Sequence, residues 1–138
     1  MLWFDMTLNQ AEVSREVVGR WDRVFNALTA EPRRQLITSL RDAPSDRELT
    51  LPEAAMSPRV PMDDAEIRCE LLHRHLPLLE DGGFVRWDRD PLRARRGPAF
   101  DEVSTVFGAL YESVDDLPDR LVTGCDRLER ERRERAVE

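Results

Sequence analysis

Apolar residues recur along most of this chain at helical spacing. Val13, Val17, Trp21, Val24, Phe25 and Leu28 share one face, which predicts a first helix that buries that face. Glu31-Pro32 opens a second helix, because proline is tolerated in a first turn, and Leu36, Ile37 and Leu40 form its inner side. Ala43 to Arg47 reads as a loop. Thr50 to Ala55 predicts a very short helix, with Thr50 and Glu53 at capping-box spacing. Asp63-Asp64 starts the next helix with acids at its positive end. Ile67, Leu71, Leu72, Leu76 and Leu79 give that helix an apolar side, and Gly82-Gly83 stops it. Pro77 inside it should kink the helix or shift its hydrogen bonding.

The period then changes. Phe84-Val85-Arg86-Trp87 alternates like a strand, Arg89-Asp90-Pro91 turns, and Leu92 to Arg95 returns as the second arm of a small hairpin. After Gly97-Pro98, a helix carries Val103, Val106, Phe107, Leu110 and Val114. After Asp115-Asp116, a last helix carries Leu117, Leu121, Cys125 and Leu128, and its charged tail reads as a solvated helix end. The expected fold is mainly α with a small β-hairpin. One domain covers residues 1–138, with a core at about 11–114, an N-terminal arm at 1–10 and a C-terminal helix at 115–138.

Charge refines this outline. Charged residues make up 36% of the chain, against about 25% in an ordinary soluble protein. All 21 basic residues are arginine, and 28 acids bring the net charge to −7. A GC-rich genome together with a concentrated-salt cytoplasm accounts for that bias. At molar salt the Debye length is about 3 Å, so an acidic balance does not exclude nucleic acid. The distribution is uneven: residues 63–83 hold six acids and two arginines, whereas residues 84–100 hold five arginines and two acids. No apolar run approaches the ~20 residues of a membrane span, and no signal-peptide pattern is present, so a cytoplasmic protein is expected. Cys69 and Cys125 are too few for a disulfide scaffold.

The segment from Glu70 to Val85, with Arg74, His75, Leu76, Leu79, Gly83 and Val85 in spacing, resembles the recognition helix and first wing strand of ArsR-like winged-helix regulators. Val24 to Leu28, followed by Arg33 and Leu36-Ile37, resembles the helix pair of the same family. The Leu-His-Arg-His-Leu-Pro core and the Arg96-to-Val103 stretch are similar to haloarchaeal winged-helix proteins of uncharacterised function. The resemblance covers about Val24 to Leu110. It implies a winged helix-turn-helix with additional terminal helices, acting as a homodimeric transcriptional regulator on double-stranded DNA. Where those regulators present serine and threonine early in the recognition helix, this chain has Glu70, Leu71 and Leu72. A winged-helix protein-interaction module without DNA binding is the alternative.

Under that resemblance, Arg68, His73 and Arg74 are the candidates for the major groove. Arg93, Arg95 and Arg96 are candidates for the wing, and Arg33 and Arg34 for phosphate contacts. Trp3 and Phe4 in the arm, with Leu117, Leu121 and Leu128 in the last helix, are the candidate dimer interface. Trp21 and Trp87 sit at apolar-periodic positions and are expected in the core or an interface. Cys69 and His73 are four apart, yet no CxxC or HExxH pattern completes a metal site; a buried thiol and hydrogen-bonding histidines are expected instead, with His75 structural. Neither a phosphate-cradling glycine loop nor a nucleophile elbow is present, so no enzyme and no cofactor are expected.

Overall fold

The computed structural model describes the backbone of residues 2–137 and the side chains of residues 9–137. Among these residues the chain is mainly helical, with one three-stranded antiparallel sheet of order β1-β3-β2. Helices α1 (Leu2–Ala27) and α2 (Glu31–Asp42) precede strand β1 (Leu49–Thr50). A long helical segment follows, formed by α3 (Asp64–Glu70), a wide turn over Leu71–His75 and α4 (Leu76–Asp81). Strands β2 (Val85–Arg89) and β3 (Leu92–Arg96) make the hairpin, and α5 (Phe100–Glu112), α6 (Asp119–Val122) and α7 (Asp126–Val137) complete the order.

The core forms where these elements meet. Leu36, Ile37 and Leu40 of α2 pack with Ile67, Leu71, Leu76 and Leu79 of the long helical segment, and Phe84, Val85, Leu92 and Val103 close the cluster. Proline stands in the first turn of α2 as the sequence predicts. In the hairpin, Val85 faces Arg96 and Trp87 faces Ala94, so Val85, Leu92 and Ala94 turn inward. Trp87 is half-buried against the core.

Four expectations change. The first helix starts at Leu2, so the backbone of residues 2–10, expected as an arm ahead of the first helix, is its continuation. Among the described side chains of α1 only Val24 and Ala27 are buried; Val13, Val17, Trp21 and Phe25, expected inside, are exposed, because α1 runs out beyond the body that its last turns pack against. Leu49 and Thr50 pair with Ala94 and Arg93 as a strand, so Thr50 caps nothing, and only Glu53–Ala55 winds into a single 3₁₀ turn. The last helix is broken: Val114–Asp116 is a 3₁₀ turn, and Gly124 at φ +99° separates α6 from α7.

No helix among the described residues is long and apolar enough to cross a membrane.

Candidate nucleic-acid interface

The helical segment ahead of the hairpin is shaped by a cap and a proline. Asp63 caps α3 by accepting a hydrogen bond from the Glu66 amide at 3.2 Å. Pro77 lacks an amide proton, and its ring would press on the carbonyl four residues back. Upstream, the turn widens: the Leu76 amide donates to the Leu71 carbonyl, five residues back. The expected shift in hydrogen bonding is therefore present. It also brings His75 and Leu76, adjacent in sequence, both into the interior. Arg68, Cys69, His73 and Arg74 remain outside. The Cys69 thiol, expected buried, is exposed.

His75 is only 2% exposed. Its Nδ1 lies 2.7 Å from Nη1 of Arg33. A guanidinium has no acceptor, so Nδ1 must accept, and the ring proton sits on Nε2. That buried Nε2 has no partner among the described residues. Burial first, then the charges of Arg33 and Arg74, push the imidazole pKa down to about 4. His75 is therefore a neutral, structural residue.

Arg33 does not stand at a phosphate. It is 2% exposed, and it donates to the carbonyls of Ala27 at 3.2 Å and Asn26 at 2.9 Å, and to the Thr29 hydroxyl. These carbonyls end α1, where the helix dipole favours a cation, and this compensates a buried charge that has no carboxylate partner among the described residues. Arg34 is partly open, but it donates to the Leu28 carbonyl at 2.6 Å and to Glu31 at 3.0 Å. Both residues staple the turn between α1 and α2.

The hairpin is less free than its arginine count implies. Arg96 donates to the carbonyls of Leu40, Arg41 and Ala43 at the end of α2, and its guanidinium lies 4.9 Å from the centre of the Phe100 ring. It is a helix clamp and not a wing tip. Arg93 pairs with Glu48 at 3.2 Å, and Arg95 reaches Glu48 at 3.8 Å and Asp88 at 3.5 Å. Glu48 lies beside this pair because β1 aligns with β3, a placement that segment charge could not reveal. Arg86 and Arg89, absent from the sequence-derived candidates, are exposed. Arg89 rests over Trp87 at 5.9 Å. The signal for Arg86 was strand alternation, which puts it on the solvent side opposite Arg95.

Among the described residues, Arg68, Arg74, Arg86 and Arg89 have no carboxylate within ion-pair distance. Asp63, Asp64, Glu66, Glu80 and Asp81 are exposed on the same helical segment. No group of three or more His, Cys, Asp or Glu converges on a point among the described residues.

The dimer candidates divide. Trp3 and Phe4 lie outside the described side chains. Leu117 and Leu128 are half-buried and, with Leu121, line a groove of about 390 Å³ against Phe107 and Leu110. Only Leu121, at 61% exposure, points clearly outward; the other two pack largely within their own chain. Compared with known proteins, the chain matches no family model, no curated protein and no solved structure.

Proposed function

We propose that this chain is a winged helix-turn-helix protein that binds double-stranded DNA as a homodimer and regulates transcription, inside a cytoplasm of concentrated salt. In this reading α2 and the α3–α4 segment form the helix pair, and β2–β3 is the wing. One observation carries it: Arg68 and Arg74 stand exposed and, among the described residues, without a carboxylate partner on the helical segment between β1 and the hairpin. Arg86 and Arg89 add two open cations on the wing. Arg33 and Arg96 take no part, since both are spent on carbonyls inside the fold.

Fluorescence anisotropy with a labelled duplex across a salt series tests the reading. Each phosphate contact contributes about 0.9 to the slope of log affinity against log salt, so Arg68→Ala together with Arg74→Ala should lower the slope by about two. The neutralised pair Arg93 and Arg95 and the exposed acids favour a second reading, a winged-helix module that binds protein. If no duplex binds at any salt in which the protein is folded, that second reading replaces the first.

A further inference from the structure

Much of the α1 face that spacing assigned to the core is open to water, and so is the side next to it. Ala11, Ser14, Val18, Trp21 and Phe25 recur at alternating intervals of three and four, the seam of a two-helix coil. Val18, Trp21 and Phe25 are 59%, 48% and 57% exposed. The two aromatic rings stack on each other with centres 5.7 Å apart. An apolar ridge of this length on a projecting helix is a surface for another helix. We propose that the seam pairs with the same seam of a second copy of this chain, antiparallel, about a two-fold axis at Val18.

Size complementarity argues for a second copy and for that direction. Ala11 and Phe25 lie seven residues either side of Val18, and Ser14 and Trp21 lie four before and three after it. Antiparallel pairing therefore sets each large aromatic of one copy against a small residue of the other. A parallel pair would set aromatic on aromatic and leave the alanines and serines facing across a gap. Charge agrees. Arg15 and Asp22 each follow a seam position, flank the seam on one side and have no ion-pair partner among the described residues. The two-fold axis brings Arg15 of one copy to Asp22 of the other, twice per dimer. On the opposite flank, Val17 and Val24 line an apolar groove of about 510 Å³ between α1 and α5, which the second helix would border.

This assigns a surface to the self-association in the function proposed above, and it requires no DNA. Sedimentation equilibrium of the full chain tests it, at the lowest salt in which circular dichroism reports the folded state, because salt screens the paired charges. A dimer is expected at micromolar concentration, and Trp21→Glu should give a folded monomer. Arg15→Glu alone or Asp22→Arg alone should weaken the dimer about tenfold, from attraction turned to repulsion at two sites. The two together should restore it. In a parallel pair Arg15 would face Gln10 and Asp22 would face Val17 of the other copy, so the two charges would not meet and the double variant would restore nothing. That outcome, a monomeric wild type, or single variants that dimerise unchanged would each overturn the proposal. Anisotropy on the same samples reads DNA binding separately, so failure of one reading is not mistaken for failure of the other.

Discussion

The guanidinium of Arg33 and the imidazole of His75 share one buried hydrogen bond, 2.7 Å from Nη1 to Nδ1, which joins the end of α1 to the wide turn before Pro77. The bond exists only while His75 is neutral. Protonating Nδ1 would remove the acceptor and set a second cation against the first.

Stability should therefore fall in acid. The native imidazole titrates at about 4 and the unfolded one at its ordinary 6.5. The unfolded state binds a proton that the native state refuses, so the contribution is full above pH 6.5 and is lost as pH falls towards 4. It amounts to about 3 kcal/mol. Urea unfolding of the wild type and of His75→Gln at a series of pH values measures it. The wild type should lose stability faster, and an equal loss in both would place the acid sensitivity elsewhere.

Arg33→Ala should cost about 2–4 kcal/mol, since it frees the carbonyls of Asn26 and Ala27 and leaves His75 Nδ1 without a donor. Arg33→Lys should recover only part of this, because an ammonium lacks the planar fork. Chemical denaturation gives both values. The salt slope for DNA should stay that of the wild type wherever the variants remain folded.

Glu48→Gln releases Arg93 from its carboxylate and leaves Arg95 paired with Asp88 alone. If the hairpin lies on DNA, affinity should rise about threefold or more, with a steeper salt dependence. Anisotropy that shows no change would remove Arg93 from the interface.

Gly97 sits where two backbone segments touch. Its amide donates to the Phe84 carbonyl at 2.9 Å. A methyl group there would meet the Val85 nitrogen at 2.8 Å and press on the Gly83 carbonyl. Backbone cannot step aside cheaply, so Gly97→Ala should lower stability by about 2 kcal/mol or more. Gly108→Ala is the contrast, meeting only the flexible end of Arg41. Thermal unfolding should separate the two clearly.

Periodicity located α2, the hairpin and α5 to within a residue or two, because each buries a regular stripe. It misassigned α1 for a physical reason: a stripe that faces another helix has the same spacing whether the partner is the body of the chain or lies outside it. The break at Gly124 was visible as a glycine, but not as a positive φ that ends one helix before the next. Most of what sequence missed concerns arginine. Whether a guanidinium meets a phosphate, a carboxylate or a carbonyl depends on tertiary neighbours, and Glu48 beside Arg93 or the end of α2 beside Arg96 became neighbours only through strand pairing.

Four guanidinium groups, those of Arg33, Arg34, Arg96 and Arg132, bind carbonyls where a helix or turn ends. Such contacts join a charge to a dipole at close range, and mobile ions in solution weaken them far less than they weaken charges facing each other through water. The outer ion pairs, and any grip on phosphate, have no such shelter. If the protein grips DNA as proposed, rising ionic strength would loosen that grip without loosening the molecule, so salt would act as a regulator of attachment and only weakly as a denaturant.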